Sequence, residues 1–519
     1  MITSVQIENL RSIKDSGPIE IKPITLLLGA NSTGKSTFLR SFPLITQSVN
    51  KSLRGPISWF DSTLVDFGDF DTAKNRYALT SECIRFSYSL GFDNNRKGYG
   101  FDGENFKQLL LPRELTSVSF SLDSDNEGSF VKTVEIVYEN VHYQMHIETR
   151  QSNIHFVVSD KEIDLPFSVK FVKGGRQGLL PTMMVQDIQE TSYAGFQRYV
   201  LHMIEDELSK WCDVRFKNRD RLHTLLDYPS LDVQGFLANM KARVTVESLK
   251  KHIKNWTVKT GSFLKIYDLF ILYKLEMLTS FCSEEIGSFY SNCSYIAPLR
   301  AEANRYYRNQ ELQVNDVDAY GRNLQEFISS LSGKEKEDFE SFMKDILKVV
   351  PKVTKIAGLQ SVVLQSANGL FNLADVGYGY SQVLPILTKI WHSSYKSRNP
   401  RRKNRGFGYE TFSTILLMEQ PELHLHPALQ AKVADAMVNY IISKDENVLK
   451  QRLVVETHSQ TIINRIGRRV REGKIDSKDI NIVLFQKSQD GRISLIRQIS
   501  FNEHGQLIDW PWGFFDPED

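Results

Sequence analysis

The chain has 519 residues, of which 41% are hydrophobic and 24% charged, with 64 Lys+Arg against 62 Asp+Glu. A formal net charge of +2 excludes a protein that coats polyanions by bulk charge, so any nucleic-acid contact has to come from a local patch. The four cysteines (Cys83, Cys212, Cys282 and Cys293) show no CxxC and no metal-ligand spacing, which argues against a disulfide scaffold or a structural zinc and fits a reducing, cytoplasmic setting.

The length suggests about two to four domains. Ile2–Asn9 alternates apolar and polar residues and predicts an edge or half-buried strand, not a signal peptide. After a turn at Gly17-Pro18, Ile24–Leu28 is a nearly continuous apolar run ending at Gly29, which predicts a buried strand. Lys35–Ile45 then opens a helix whose end is blurred by Ser41 and Pro43. Between Cys83 and Val172 alternation with turn signals such as Asp93-Asn94-Asn95 predicts antiparallel strands. From Asp187 to Phe289 the pattern is helical, with long runs at Tyr193–Lys210 and Phe263–Phe281 and no sustained heptad. No repeat of fixed period is visible. Residues 295–519 return to an α/β texture, with buried-strand candidates at Leu416–Met418, Leu453–Val455 and Ile482–Phe485 and an aromatic tail from Asp509 to Asp516. The apolar stretches are strand-length, far short of a membrane span.

Gly29-Ala30-Asn31-Ser32-Thr33-Gly34-Lys35-Ser36 matches GxxxxGK[ST] between a strand and a helix. Such a loop turns the backbone N–H groups of Asn31, Ser32, Thr33 and Gly34 around phosphate oxygens, and the helix N-terminus adds favourable potential for an anion. Lys35 is placed to neutralise β- and γ-phosphate charge, Ser36 to ligate Mg²⁺, and Thr37 to lie near the α-phosphate, which makes ATP and Mg²⁺ the implied cofactors. A carboxylate at the end of a neighbouring strand should complete the metal shell, and Glu419, at the end of Thr414–Glu419, is the candidate. Gln420 follows where an acid would polarise the attacking water. It can orient a water but cannot accept its proton, so hydrolysis should be slow unless Glu422 takes that role. His424 and His426 are read as shaping a turn, since no third metal ligand stands at a telling spacing. In Glu456-Thr457-His458-Ser459, just past a strand, His458 is placed to sense the γ-phosphate.

Leu373–Pro385 contains Gly377-Tyr378-Gly379-Tyr380-Ser381-Gln382 and resembles the signature loop of ABC-type ATPases, although it departs from LSGGQ. With that loop, the order GxxxxGKS, long insertion, Glu-Gln-Pro-Glu-Leu-His-Leu-His-Pro and Glu-Thr-His-Ser resembles ABC-type ATPases of the RecF/SMC/OLD group. The likeness covers about residues 1–75 and 293–519 and includes Ile7–Ser12, Tyr295–Arg300 and the Trp-Pro-x-Gly-Phe-Phe ending.

The resemblance implies an α/β fold, an ABC-type P-loop NTPase head with a large mixed β/helical insertion. It implies an N-terminal lobe over 1–75, an insertion over 76–292 and a C-terminal lobe over 293–519. It further implies that Arg11 approaches the nucleotide. Gly379 and Ser381 would cap the γ-phosphate of an opposing chain, so that a homodimer or higher oligomer closes around ATP. Asp69 is a further candidate for a place near the metal.

Stand-alone members of this kind, such as the PtuA subunit of Septu systems, including those attached to retrons, and the AriA subunit of PARIS, serve anti-phage defence beside a separate nuclease. The resemblance therefore implies a regulatory ATPase partnered by an effector nuclease of HNH or TOPRIM type. About 60 residues follow His458, too few for an added catalytic domain of ordinary size, so no nuclease activity is expected in this chain. The other reading is a RecF-like ATPase of DNA repair or recombination. It needs a basic DNA-facing surface from the 396–405 or 465–474 segments, which otherwise read as solvated faces. A membrane transporter subunit is disfavoured by the large insertion.

Overall fold

The structure, a computed structural model, describes residues 2–91, 116–172, 179–186, 193–213, 220–228, 230–308, 310, 312, 314–399, 414–442 and 451–510. Two compact units share the chain. One gathers Met1–Val5, Ser48–Ile57 and Cys83–Gly287, and the other Gln6–Gln47, Ser58–Glu82 and Ser288–Asp519. The expected turn at 93–95, the basic positions 401–405 and the tail beyond Trp510 lie outside the described residues.

The second unit begins within β1 (Ile2–Leu10), which pairs antiparallel with β2 (Ile13–Asp15) and is followed by β3 (Ile19–Glu20). β4 (Ile24–Gly29) is buried at every residue, as its nearly continuous apolar run requires of a strand covered on both faces. Helix α1 (Lys35–Val49) follows the glycine loop directly. It runs through Pro43 to Val49, past the expected end at Ile45. Phe38, Leu39, Phe42, Leu44 and Ile45 are all fully buried, and Phe42 packs edge-on against Tyr290 with ring centroids 5.7 Å apart. Packing of this extent offsets the roughly 3 kcal/mol that an interior proline costs a helix. After it comes the one-turn α2 (Phe70–Ala73).

In the first unit the alternating stretch folds as predicted into antiparallel strands: β5 (Ile84–Leu90), β6 (Thr116–Asp125), β7 (Gly128–Tyr138), β8 (Val141–His146), β9 (His155–Val158) and β10 (Lys161–Ile163), each paired to the next. On β5 every second residue (Ile84, Phe86, Tyr88, Leu90) is buried, the two-residue period turned into one core face. A smaller sheet holds β11 (Val169–Val172), β12 (Thr182–Gln186) and β13 (Tyr193–Gly195). Tyr193 therefore opens a short strand, and the helix α3 (Phe196–Ser209) starts after it. Three helices follow, α4 (Asp220–His223), α5 (Val233–Arg243) and α6 (Glu247–Ile253), and then the 31-residue α7 (Gly261–Ser291). Phe236 of α5 stacks on Phe270 of α7 at 4.0 Å between centroids.

The remaining strands of the second unit are β14 (Cys293–Ile296), β15 (Tyr307–Arg308), β16 (Val350–Ile356), β17 (Leu359–Ser366), β18 (Gly369–Asn372), β19 (Thr414–Glu419), β20 (Gln451–Glu456), β21 (Ile480–Lys487) and β22 (Ser494–Ile499). Its helices are α8 (Leu324–Ser330), α9 (Gly333–Leu347), α10 (Tyr378–Arg398), α11 (Pro427–Ile441) and α12 (Gln460–Arg471). β15 to β18 form a separate antiparallel sheet.

The central sheet has the order β14-β19-β20-β4-β21-β22, parallel except for the β21–β22 pair. Trp391, Leu384, Leu387, Val433, Met437, Ile463 and Ile466 from α10, α11 and α12 are buried in one core with β4, β19 and β20. The fold is of the expected α/β class. One expectation is corrected: β19 is not the neighbour of the glycine-loop strand, because β20 hydrogen-bonds β4 and stands between them. Among the described residues no helix is long and apolar enough to cross a membrane.

Candidate functional site

In an open parallel sheet the strand ends and the loops leaving them are where a ligand binds. Here β4, β19 and β20 end together: Leu27 pairs with Glu456, and Glu456 with Glu419. The loop after β4 needs its glycines. Gly29 has φ 151° and lies so close to Phe485 that an added Cβ would sit 2.2 Å from its carbonyl oxygen, and Gly34 adopts φ 101°. Asn31 and Ser32 are exposed, the latter at φ 61°. Thr33 Oγ1 and Lys35 Nζ both donate to the Ala30 carbonyl, at 2.8 and 2.6 Å, which ties the loop into a ring. The first-turn N–H groups of Lys35, Ser36 and Thr37 cannot reach a carbonyl of their own helix, so they are available to an anion. Burial lowers the Lys35 pKa, while Glu456 and then Glu422 act to raise it.

Around the loop, polar atoms fall into two groups. Some are fully engaged. Glu419, the expected metal-side carboxylate, accepts from Arg40 Nη2 at 2.6 Å, Arg40 Nε at 2.8 Å and the Tyr295 hydroxyl at 2.6 Å. Glu422 accepts from Thr457 Oγ1 at 2.8 Å and His458 N at 2.7 Å, so it positions the loop after β20. Burial raises its pKa against those bonds. Others are left open. Glu456 accepts from Ser36 Oγ at 2.9 Å through Oε1, but its buried Oε2 and the buried Nε2 of His458 have no hydrogen-bond partner. Burial, with Glu419 alongside, pushes the Glu456 carboxyl up to about 7. Burial and then Lys35 lower the His458 pKa, which favours a neutral ring. Buried polar atoms are almost always paired, so this pair of open atoms facing a phosphate-type loop marks a place for a polar ligand. A carboxylate oxygen beside the Ser36 hydroxyl suits a divalent cation, and an imidazole nitrogen suits a phosphate oxygen.

Gln420 takes φ 43°, and its N–H donates to the Glu456 carbonyl at 2.8 Å. Arg11, at φ 48°, sends Nη2 to the Asp66 carbonyl at 2.9 Å and lies 4.1 Å over the Phe67 ring. Burial and then Arg40 lower its pKa. Asp69 instead caps α2 through Thr72 N at 2.8 Å. His426 caps α11, and His424, at φ 62°, sets its ring edge-on to Tyr378 at 5.1 Å. Among the described residues no group of three or more His, Cys, Asp or Glu could hold a metal ion by itself.

Gly379 and Ser381 start α10. Ser381 is buried, and its hydroxyl donates to the Tyr378 carbonyl at 2.7 Å. It lines a cavity of about 190 Å³ with Asn304, Gly321, Gln325 and Pro385. On α12, Arg465 pairs bidentately with Asp435 at 2.8 and 2.7 Å, Arg469 joins the same carboxylate at 2.8 Å, and Arg468 pairs with Glu472. Arg398 pairs with Asp338 at 3.0 Å. Three residues of the site had not been singled out by sequence: Arg40, Tyr295 as a partner of Glu419, and Glu456. The signal available for the last was that two apolar strands, Leu-Leu-Met-Glu and Leu-Val-Val-Glu, end in the same acid.

The profile of the AAA ATPase domain family (AAA_15) matches residues 1–172 and 244–463. No curated protein matches. Among solved structures, the Smc head bound to the C-winged helix domain of ScpA aligns over 96% of this chain and 98% of that one, at 10% identity and a TM-score of 0.36. The Smc head with an extended coiled coil bound to the C-terminal domain of ScpA, from Pyrococcus furiosus, aligns over 96% of both at 12% identity and a TM-score of 0.34. The SMC head domain from Thermotoga maritima gives 7% identity over 96% and 98%, with a TM-score of 0.29.

Proposed function

Because the chain belongs to the AAA ATPase domain family, and so is an ATPase with an ABC-type P-loop head carrying a large mixed insertion, we propose that it is a slow, ATP-held switch. In this reading it binds ATP–Mg²⁺ at residues 29–36, closes as a homodimer around it, and regulates a separate effector nuclease in anti-phage defence. The observation that carries the ATP site is the convergence of the Lys35 loop with the two open atoms, Glu456 Oε2 and His458 Nε2. Lys35 and the N–H groups of Lys35, Ser36 and Thr37 would hold the β- and γ-phosphates, and Ser36 Oγ would ligate the metal. Bound ATP supplies the phosphoanhydride bond to be hydrolysed. His458, kept in place by the Glu422 bond to its N–H, would contact the terminal phosphate. Gln420 orients the attacking water without taking its proton, which supports a long-lived ATP state.

In the proposed dimer, the Gly379–Ser381 turn of one chain caps the phosphate held by the other. The N–H groups of the first turn of α10 are its donors, and Ser381 Oγ joins once it leaves the Tyr378 carbonyl. Charge-assisted bonds of this kind weaken when the terminal phosphate departs, which makes the closed state report ATP.

Light scattering and phosphate release test the proposal together. Wild type should pass from monomer to dimer on adding ATP–Mg²⁺ and hydrolyse slowly, and Lys35→Ala should do neither. Equal turnover and equal mass in the two would remove the assignment. DNA-dependent stimulation of several-fold would favour the RecF-like reading instead.

A further inference from the structure

Two strand-end carboxylates stand side by side at the phosphate loop, since Glu419 and Glu456 are paired residues of adjacent parallel strands, about 4.8 Å apart. Their surroundings differ. Glu419 has both oxygens taken by Arg40 and one of them also by Tyr295, and its side chain is 3% exposed. Arg40 follows Ser36 by one helical turn on α1, so the same face of the helix presents the cation to Glu419 and the hydroxyl to Glu456. Glu456 is 1% exposed, holds Ser36 Oγ at 2.9 Å, and keeps Oε2 buried with no hydrogen-bond partner. Mg²⁺ at a nucleotide takes oxygen ligands, usually one or two carboxylates beside the phosphates. The carboxylate already bonded to the metal-binding hydroxyl, with an oxygen to spare, is Glu456.

We propose that Glu456, and not Glu419, is the carboxylate that completes the Mg²⁺ site with Ser36, and that Glu419 is a positioning residue that anchors Arg40 and Tyr295 against α1. The inference rests on reading residues 29–36 as an ATP site. It assigns the end of β20 two tasks in one four-residue stretch: Glu456 toward the cation and His458 toward the terminal phosphate. It also leaves the Glu419–Gln420 pair without a metal ligand, so that β19 contributes only the group that orients water.

The test uses the full chain and a fluorescent N-methylanthraniloyl-ATP, titrated in Mg²⁺ and in EDTA. Wild type should bind more tightly in Mg²⁺. Glu456→Gln should lose that gain, by roughly tenfold or more, with no loss of affinity in EDTA, where removing a negative charge cannot weaken the hold on a polyanion. Glu456→Asp, which keeps the charge, should recover part of it. Glu419→Gln should keep the gain. Electron paramagnetic resonance of Mn²⁺ added with ATP gives a second readout independent of turnover: bound Mn²⁺ should fall for Glu456→Gln and persist for Glu419→Gln. Thermal unfolding without nucleotide checks that each variant is folded. If Glu419→Gln loses the gain, alone or together with Glu456→Gln, or if neither variant loses it, the inference is overturned. If wild type binds no better than Lys35→Ala in either buffer, the ATP reading itself falls, a result distinguishable from the others.

Discussion

Gln420 sits in a left-handed turn at the end of β19, a conformation that costs a non-glycine residue about 1 kcal/mol and is held by its N–H bond to the Glu456 carbonyl. The backbone is therefore fixed whatever the side chain, which makes the position a clean place to change chemistry. Supplying a general base contributes about 10²-fold or more to such a step. Gln420→Glu should accordingly raise steady-state phosphate release at least about tenfold, and an unchanged rate would mean that this side chain does not face the water. At this scale the glycine loop was legible in the sequence, because its requirements are local: two glycines where the backbone needs them, a lysine, a hydroxyl. The Arg40–Glu419–Tyr295 cluster was not, since its members are separated by up to 379 positions and nothing in the spacing of Arg40 distinguishes it from a solvated helix residue. Glu456 was passed over because Glu419 already filled the place of the strand-end carboxylate. Only the strand register shows that the two acids stand side by side.

Helix α10 carries the Gly379 turn at one end, and three polar anchors fix it along its length. Lys389 reaches Asp316 at 3.0 Å, His392 Nδ1 reaches the other oxygen of Asp316 at 3.0 Å, and Trp391 Nε1 donates to Asp338 at 2.7 Å. Burial tends to raise the Asp316 pKa, but Lys389, the His392 bond and Lys396 outweigh it and hold the carboxyl well below its ordinary value. A carboxylate held low in the folded state adds stability above its unfolded pKa and loses it as pH falls. Asp316→Asn should therefore lower Tm by about 2–4 °C at pH 7, and the gap to wild type should narrow below about pH 4. A gap independent of pH would show that the charge of Asp316 is not what holds the helix. Elements are legible in the sequence wherever burial makes the pattern continuous, as in β4, β19 and β20. The sequence leaves the end of α1 open at Ser41 and Pro43, where packing decides it, and it does not give the strand order that sets β20 between β4 and β19.

For the molecule as a whole, near-neutral charge leaves function to local fields. The run from Arg465 to Arg471 reads as a solvated face before it reads as a DNA-facing patch, and Asp435 and Glu472 neutralise much of it. Wild type should bind duplex DNA weakly at ~150 mM salt. Asp435→Asn, which releases Arg465 and Arg469, should bind more tightly, with a salt slope steeper by about one to two ions. No change would mean that this face never meets a phosphate backbone.

The parallel sheet is gathered from distant stretches: β4 pairs with β20 and β21, which begin at residues 451 and 480. A ribosome adding ~5–20 residues per second delivers those partners roughly 20–90 s after β4 emerges. Throughout that interval a naked strand, apolar but for Thr25, lacks both of its partners. Newborn chains should thus lean on holdase chaperones, and nucleotide grip should switch on abruptly with completion of the last strands instead of growing with length.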